Sequence, residues 1–245
     1  MNSNKNTSKP KKVYFASDFH LGVPNHKESL EREKKLVKWL NTIEDDALEI
    51  FLLGDIFDFW FEYSTAVPKG FVRILGKLAE LTDKGIPIHL FRGNHDIWAF
   101  EYLQKEVGIK LHRRPQVREF YGKKFLLAHG DGLGPGDNGY KLLKKVFEFK
   151  PNQWLFKILH PDIGTRLGLY FSRKSRIANV ALEGSNTYIP PKPEEENLYI
   201  YSKDYLEKDS NINYFIFGHR HIILDHAITN SSRLVILGDW VTNYS

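Results

Sequence analysis

The stretch Tyr214–Leu224 reads YFIFGHRHIIL: an apolar run stops at a glycine, two histidines follow, and a second apolar run begins. Side chains two positions apart in an extended segment point to the same side of the chain. His219 and His221 can therefore face one point at the end of a strand. A surface loop that carries two histidines by chance would show the same sequence pattern. The choice depends on whether the rest of the chain supplies partners for them.

The rest of the chain alternates between apolar strands and amphipathic helices. Strands are predicted in the segments KKVYFAS, LEIFLLG, IPIHLFR, KKFLLAH, YFIFGH, IILDHAI and RLVILG. Helices are predicted in LEREKKLVKWLNTI, FVRILGKLAELTDKG and ENLYIYSKDYLEK, where apolar residues recur at helical spacing. This alternation predicts an α/β fold. We expect a disordered tail over residues 1–12 and one domain over residues 13–245, with a basic helical insertion at about 140–182.

Polar residues close five of the predicted strands, often beside a glycine. They are Asp18, His20, Asp55, Asn94, His129, His219 and His221. Ligands of open α/β sheets bind at the carboxyl ends of the strands, and glycine lets the backbone turn sharply there. A single Asp-x-His triplet occurs often by chance, but five such pieces in order do not. The two histidines of the opening stretch therefore have partners.

The types of these side chains indicate their chemistry. Carboxylate, amide oxygen and imidazole suit divalent manganese, iron, cobalt or zinc. Seven ligands exceed what one ion with an open position takes from a protein. Two ions that share one carboxylate fit better, and two-metal sites are typical of phosphatases, nucleases and related hydrolases. The pattern therefore predicts a two-metal hydrolase.

Composition excludes some other classes. The chain has 245 residues, of which 42% are hydrophobic and 27% charged, as in ordinary soluble proteins. It has no cysteine, which excludes thiolate zinc sites and a cysteine nucleophile. The N-terminal residues MNSNKNTSKPKK lack the apolar core of a signal peptide, so we expect a cytoplasmic protein. The net charge of +5 suits anionic partners without choosing among them.

The five blocks DFH, GDIFD, GNHD, HGD and GHRH resemble the signature of calcineurin-like metallophosphoesterases. The resemblance implies a four-layer αββα sandwich around two metal ions. It implies that one ion is held by Asp18, His20, Asp55 and His221, and the other by Asp55, Asn94, His129 and His219.

The same resemblance places His95 near the substrate phosphate, where it would protonate the leaving group or stabilise the transition state, with Asp96 orienting it. A supporting role for His95 behind a metal ligand stays open. Asp58 and Asp131 are expected to support ligands rather than to bind metal.

A closer resemblance, over residues 13–240, is to the UDP-2,3-diacylglucosamine diphosphatase family of lipid A biosynthesis. It is carried by GDIFDFW, GNHD, LLAHGDGLGPGDNGY, SRKSRIAN, GHRH and ILGDW. It implies hydrolysis of a nucleotide–lipid pyrophosphate to UMP and a lipid 1-phosphate, two Mn²⁺ ions, and peripheral attachment to the cytoplasmic face of the inner membrane. The best-known branch of that family has arginine where this chain has His95. The expected substrate-binding residues are Asn94, Asp137, Tyr140, Arg173, Lys174, Ser175, Arg176 and Asn179.

The insertion mixes large apolar residues with lysines and arginines, and three interpretations stay open. It can lie at a membrane interface, form a lid over an acylated substrate, or pack on the core with its charges merely solvated. Nucleic acid is not expected, because no run interleaves basic residues with repeated aromatics.

Two alternative functions also stay open. One is a generic metal-dependent phosphodiesterase or nucleotide pyrophosphatase. The other is a non-catalytic scaffold of the same fold, as in one retromer subunit. The scaffold is disfavoured because all seven ligand positions and His95 are filled.

Overall fold

The structure is a computed structural model that describes the backbone of residues 10–183 and 192–242, and their side chains except those of 175–183. Four parallel strands form the first sheet, in the order β1-β2-β3-β4. Their bounds are β1 Lys12–Ala16, β2 Ala47–Leu52, β3 Ile88–Phe91 and β4 Lys110–His112. The helices that accompany them are α1 His26–Ile43, α2 Val72–Asp83 and the short α3 Tyr102–Lys105.

Five strands form the second sheet, in the order β5-β6-β7-β9-β8. Their bounds are β5 Gln116–Phe120, β6 Lys123–Leu127, β7 Tyr214–Phe217, β8 Leu224–Ala227 and β9 Arg233–Ile236. β6, β7 and β9 are parallel, whereas β5 and β8 run antiparallel at the two edges. Between β6 and β7 lie α4 Asn138–Glu148, α5 Lys150–Ile158, α6 Pro161–Glu183 and α7 Asn197–Leu206, with a 3₁₀ turn at Pro193–Glu195.

Local sequence signals explain where the first helices begin and end. The side chain of Asn25 accepts a hydrogen bond from the Glu28 amide at 3.0 Å, which caps the N-terminus of α1. α2 ends just before Gly85, whose φ of 82° lets the chain leave the helix in the left-handed conformation. The sequence predicts the end of α2 at Gly85, whereas α1 begins at His26, four residues before the predicted segment LEREKKLVKWLNTI.

Three apolar clusters hold the layers together. The first packs α1 and α2 on one face of the first sheet, and the second packs α7 on the outer face of the second sheet. The third lies between the two sheets and contains Phe51, Leu53 and Phe91 from one side and Phe120, Leu127 and Ile216 from the other. The order of layers is therefore α-β-β-α, which confirms the predicted fold class. Because strands such as β2 are covered on both faces, they read as continuous apolar runs.

An aromatic cluster fastens the insertion to the core. Phe156 of α5 lies with its ring centroid 4.7 Å from both Phe61 and Trp98, and Phe147 of α4 lies 5.1 Å from Trp98. The Trp98 indole also donates a hydrogen bond to the Phe147 carbonyl at 2.9 Å. Within α4 and α5, whose residues are all described, no side chain is buried. Among the described helices of the chain, none has the length and apolarity that crossing a membrane requires.

The strand prediction missed two elements. The segment KKFLLAH is the sixth strand along the chain rather than the fourth, because β4 and β5 precede it. β4 has only three residues, and β5 reads QVREF with alternating burial. Neither is an apolar run of the kind that marks the other strands. Residues 1–9 of the predicted tail lie outside the described part of the chain, and its last residue, Lys12, is the first residue of β1.

Candidate metal centre

The predicted ligands lie on the loops that follow β1, β2, β3, β6 and β7, at one edge of both sheets. Five of them have a positive φ: Asp18 (56°), His20 (44°), Asp55 (54°), His219 (71°) and His221 (53°). Residues other than glycine rarely adopt this left-handed region, at a cost of order 1–3 kcal/mol each. Such strain is typical of functional sites, where the surrounding structure holds it in place. Five of the seven predicted ligands have this strained backbone, which supports the edge of the sheets where they lie as the candidate site.

Glycines let the backbone approach two of the carboxylates closely. A Cβ atom at Gly93 would overlap the Asp55 carboxylate, and one at Gly218 would overlap the Asp18 carboxylate. Only glycine fits at these two positions. The blocks GNHD and GHRH therefore need their glycines for the packing of the ligands of neighbouring strands.

Asp18, His20 and His221 form the first ligand group. The Nε2 atoms of His20 and His221 are 3.0 Å apart, and His221 Nε2 lies 3.3 Å from Asp18 Oδ1. Two ligand atoms bound at about 2.1 Å to one ion, at angles of about 90–109°, are roughly 3.0–3.4 Å apart. Asp18 Oδ1 is buried and has no hydrogen-bond partner among the described residues. A divalent ion fits this donor set.

Asp55, His129 and His219 form the second ligand group. His129 Nε2 lies 3.4 Å from Asp55 Oδ2 and 3.2 Å from the side-chain oxygen of Asn94. These separations match the same ligand spacing of about 3.0–3.4 Å. The rings of His129 and His219 meet edge to face at 5.1 Å between centroids. Asn94 thus joins the second group, as the sequence predicts.

Asp55 lies between the two groups. Its Oδ2 is 3.8 Å from His20 Nε2 of the first group and 3.4 Å from His129 Nε2 of the second. Its Oδ1 accepts a hydrogen bond from the His95 amide at 2.9 Å, which fixes the plane of the carboxylate. This is the position that a carboxylate shared by two ions requires.

In three of the four candidate imidazoles, the second nitrogen faces an acceptor. His129 Nδ1 lies 2.7 Å from the Leu53 carbonyl. His20 Nδ1 lies 3.5 Å from an oxygen of Asp58, and His221 Nδ1 lies 3.7 Å from an oxygen of Asp239. Such outer partners hold the proton on Nδ1 and leave Nε2 free to bind a metal.

The comparisons with known proteins agree with this geometry. A family model described as calcineurin-like phosphoesterase matches residues 11–222. The chain belongs to the calcineurin-like phosphoesterase family. A protein named UDP-2,3-diacylglucosamine hydrolase from Porphyromonas gingivalis is 38% identical over 94% of this chain and 90% of the relative. A protein of the same name from Histophilus somni is 31% identical over 94% of this chain and 92% of the relative. A dimetal phosphatase from Danio rerio superposes with a TM-score of 0.41 at 13% identity, over 93% of this chain and 87% of that one.

Membership of the calcineurin-like phosphoesterase family makes this protein a metal-dependent phosphoester hydrolase. Divalent ions bound at such a centre supply hydroxide at neutral pH and polarise the phosphoryl oxygens. The residues of this chain provide the complementary charge. Burial works against the charge of Asp55, but the charge of His129 holds the pKa of this carboxyl well below its usual range. Burial also works against the charge of His20, yet the carboxylates of Asp18 and Asp58 raise the pKa of that imidazole to about 9, so an ion that binds Nε2 must displace its proton. The carboxylates of this phosphoesterase therefore stay ionised and attract cations.

His95 lies beside the two ligand groups of this phosphoesterase. Its Nε2 is 3.9 Å from Asp55 Oδ2, and its ring meets the ring of His20 edge to face at 4.9 Å. Its Nδ1 donates to the Asp58 carbonyl at 2.8 Å. Burial lowers the pKa of His95. The imidazole therefore presents Nε2 to the space above the ligands.

Ser172 of α6 completes the surroundings of His95, and the sequence prediction missed it. Its hydroxyl donates to Asp58 Oδ2 at 2.5 Å, and its oxygen lies 3.2 Å from His95 Nδ1. The single hydroxyl proton goes to Asp58, and the Nδ1 proton of His95 goes to the nearer Asp58 carbonyl, so Ser172 contacts the imidazole at the edge of this hydrogen bond. The insertion thus reaches the candidate site through a buried side chain.

Asp96 has a different position from the one expected. Its two oxygens accept hydrogen bonds from the backbone amides of Gly93 and Ile56, at 2.6 and 2.9 Å, and not from His95. Burial raises the pKa of Asp96 to about 7, with the charge of Asp55 adding to the effect. Asp96 therefore ties the GNHD turn to the end of β2, whereas Asp58 and Ser172 contact His95.

Asp239 is a second residue that the sequence prediction passed over. It follows β9 in ILGDW, a glycine and an aspartate after an apolar run, which is the same signal that marked the other ligands. It lies behind His221 and accepts backbone hydrogen bonds from Val241 and Thr242.

The predicted substrate residues lie at different distances from the centre. Tyr140 is close, since its ring centroid is 6.3 Å from that of His219 and its hydroxyl donates to Asp131 at 2.5 Å. Asp137 is exposed at the start of α4 with a φ of 50°. Arg173 and Lys174 are exposed on α6 next to Ser172. The side chains of Ser175, Arg176 and Asn179 lie outside the described residues.

Proposed function

We propose that this phosphoesterase hydrolyses the pyrophosphate of UDP-2,3-diacylglucosamine to UMP and 2,3-diacylglucosamine 1-phosphate. The observation that carries the proposal is the end-to-end match to relatives named for that substrate, on a chain in which all seven candidate ligands are present. The two ligand groups that meet at Asp55 support cleavage of a phosphoryl bond.

The proposed metal site takes two divalent ions, and Mn²⁺ is the ion proposed, because its ligands are carboxylates, an amide oxygen and imidazoles. The first ion would be held by Asp18, His20, Asp55 and His221. The second would be held by Asp55, Asn94, His129 and His219.

His95 is the proposed general acid. Its Nδ1 proton is committed to the Asp58 carbonyl, so the imidazolium form would carry the proton for the leaving group on Nε2. Burial disfavours that form, and the charges of Asp55 and Asp58 favour it. Transfer of that proton would assist departure of the sugar phosphate or the nucleotide. Asp58 and Ser172 would hold the ring in the required orientation.

The insertion is the proposed contact for the acyl chains. Of the eighteen exposed large hydrophobic residues among the described residues, twelve lie on α4, α5, α6 or the short turns between them. Examples are Leu142, Trp154 and Phe171, whose exposed fractions are 65%, 63% and 62%. Burial of methylene groups against such a surface is worth about 0.8 kcal/mol each. Arg173 and Lys174, exposed beside Ser172, are the proposed contacts for the sugar and phosphate groups.

The same surface supports peripheral contact with the inner membrane, where an acylated substrate resides. Exposed apolar residues interspersed with lysines favour attachment to an anionic lipid surface. The location at its cytoplasmic face is part of this proposal.

Incubation of the Mn²⁺-loaded protein with UDP-2,3-diacylglucosamine tests the proposal directly. The expected products are UMP and 2,3-diacylglucosamine 1-phosphate in equal amounts, and removal of metal with a chelator abolishes both. Hydrolysis of a small chromogenic phosphodiester without release of UMP would instead support the generic phosphodiesterase.

A further inference from the structure

A large cavity lies beside the candidate metal centre without containing any of its ligands. It has a volume of about 1030 Å³ and lies between the base of the insertion, the segment 62–67 and the loop that follows β4. None of the seven predicted metal ligands, nor His95, lines it. The metal centre and the substrate contacts proposed above therefore leave this cavity without a role.

The lining of the cavity is strongly basic. Its cationic residues are Arg92, Arg113, Arg114, Lys144, Lys150 and Lys157. Among the described residues, only Lys144 and Arg92 of these six lie within 4 Å of a carboxylate, Asp131 at 2.6 Å and Glu148 at 3.8 Å respectively. The cations of the cavity thus outnumber the carboxylates that face them.

Two of the three glutamates in the lining are engaged elsewhere. Glu62 is 7% exposed and accepts hydrogen bonds from the backbone amides of Glu101 and Tyr102, at 2.6 and 3.0 Å. Glu101 forms an ion pair with Lys105. Glu62 is therefore committed to the backbone, whereas Glu101 is shared between Lys105 and the cavity cations Arg113 and Lys157.

Arg92 is the buried member of the basic set. Its side chain is only 9% exposed, and its Nη1 donates to the Ile97 carbonyl at 2.7 Å. Its Nε is buried without a hydrogen-bond partner among the described residues. Burial lowers the pKa of Arg92, and the charge of Arg113 lowers it further. A buried guanidinium beside a second cation is costly unless an anion offsets the two charges.

We propose that this cavity is a binding site for a phosphate-bearing anion, held by Arg92, Arg113, Arg114, Lys150 and Lys157. Guanidinium groups pair with phosphate oxygens through parallel hydrogen bonds, and ammonium groups add charge. The phosphate can belong to a soluble molecule or to the head group of an anionic phospholipid. α5 makes the second source possible, since it places Lys150 and Lys157 in the cavity wall and leaves Trp154 and Ile158 exposed.

The site is independent of the proposed lipid-pyrophosphate activity. Lys144 is the one cation that lines the cavity and also pairs with Asp131 of the HGD block, so it is left unchanged in the test. Activity on a small chromogenic phosphodiester then reports whether each variant is folded and metal-loaded, whatever the natural substrate.

The test compares two fourfold variants that remove the same charge. The cavity variant changes to glutamine Arg113, Arg114, Lys150 and Lys157, all exposed. The control variant changes to glutamine Lys27, Lys38, Lys123 and Lys208, all exposed and outside the cavity. One arm measures the rise in melting temperature of the metal-loaded proteins with inorganic phosphate. The other measures co-sedimentation with vesicles of phosphatidylcholine, with or without an equal part of phosphatidylglycerol.

The cavity variant should bind one of the two probes at least about tenfold more weakly than the control, since each cation near an anionic surface contributes roughly a fivefold factor. Phosphate that binds at the metal ions raises the melting temperature of both variants equally, so it does not affect the difference between them. A loss confined to phosphate identifies a soluble ligand. A loss confined to phosphatidylglycerol vesicles identifies a head group when Arg113→Gln/Arg114→Gln, which lies outside the insertion, shows it too, because Lys150 and Lys157 also belong to the surface proposed for membrane contact. A vesicle loss that the two arginines do not share would overturn the proposal. Equal binding of both probes by the two variants would overturn the proposal. If the cavity variant fails to fold, two double variants replace the fourfold ones. Binding of both probes by Arg113→Gln/Arg114→Gln is then compared with binding by Lys27→Gln/Lys38→Gln, with the same expected difference.

Discussion

At the scale of single residues, the candidate centre combines strained backbone with a buried carboxylate oxygen that accepts no hydrogen bond from the described residues. Asp18 Oδ1 is buried with no hydrogen-bond partner among the described residues, and its own φ of 56° is unfavourable for a side chain. A bound cation would offset the cost of burying the unpaired oxygen. The surrounding packing holds the backbone in its strained conformation. Removal of both ions should therefore lower the stability of the protein as well as its activity.

Asp55 gives the sharpest test of the metal arrangement. We expect Asp55→Ala to lose both ions, because its Oδ2 lies 3.8 Å from one ligand group and 3.4 Å from the other. Metal content of the purified protein measures this, with Asp83→Ala, an exposed aspartate on α2, as the control. Retention of two ions at full occupancy with full activity would remove Asp55 from its bridging position.

His95 should affect rate and not metal content. General acid–base assistance contributes about 10²–10⁴-fold to rate, so His95→Ala should lose a factor in this range while both ions stay bound. The exposed His160 supplies the control His160→Ala. If metal content falls in step with activity, His95 supports a ligand and is not the acid.

At the scale of elements, α6 couples the insertion to the catalytic edge. A Cβ atom at Gly168 would overlap the Phe59 ring, so the helix packs closely on the loop after β2. One turn later, Ser172 contacts Asp58 and His95. The position of the insertion therefore bears on the orientation of the imidazole.

This coupling predicts that Ser172→Ala lowers kcat by about tenfold with little change in KM, as is typical when an outer partner of a site residue is lost. If Ser172 acts through His95, the same substitution in a His95→Ala background should cost nothing further. Steady-state kinetics of the two single variants and the double variant measure this. Additive losses would mean that Ser172 acts by another route.

The edge of the first sheet predicts a dependence of stability on pH. His89 of β3 is 1% exposed, and its Nδ1 lies 2.8 Å from His112 Nε2 of β4. Burial, then the charges of His112, Arg118 and Lys110, lower the pKa of His89 to about 3. Glu49, whose Oε2 lies 3.0 Å from His89 Nε2, is the one carboxylate within 4 Å of this ring among the described residues.

The unfolded state binds the proton of His89 more readily than the folded state does. The contribution of neutral His89 to the free energy of unfolding is therefore complete above about pH 6.5 and is lost as the pH falls toward 3. The loss for His89 should reach roughly 2–4 kcal/mol by pH 4. Urea unfolding at pH 7 and at pH 4 measures it. His89→Gln should lose less stability over this interval than the wild type, and an equal loss would contradict the assignment.

At the scale of the whole molecule, the sequence predicts what depends on local order and misses what depends on distant contacts. Ligands such as Asp55 and His129 could be predicted because each closes an apolar strand, and the carboxyl ends of parallel strands share one edge. Ser172 could not, because it meets Asp58 from 114 positions away along a helix with no strand-end signal. The left-handed backbone of His20 and the short strands β4 and β5 are likewise set by tertiary packing rather than by local pattern.

The position of Asp96 also differs from what its neighbours in the sequence suggest. Its place beside His95 in the sequence suggested that the two side chains touch, yet the turn sends them in opposite directions. The carboxylate of Asp96 serves the backbone, and the imidazole of His95 turns to Asp58. Adjacency in a motif therefore does not establish a contact.

The central claim is that one molecule joins a two-metal centre to a surface for acyl chains. The most direct measurement is kcat/KM of the Mn²⁺-loaded protein for UDP-2,3-diacylglucosamine, for its deacylated form and for a small chromogenic phosphodiester. We predict that the diacylated substrate is preferred over each of the others by at least about 100-fold, since remote binding energy can be realised in the transition state. Comparable values for the three substrates, or no UMP from the first, would contradict the account.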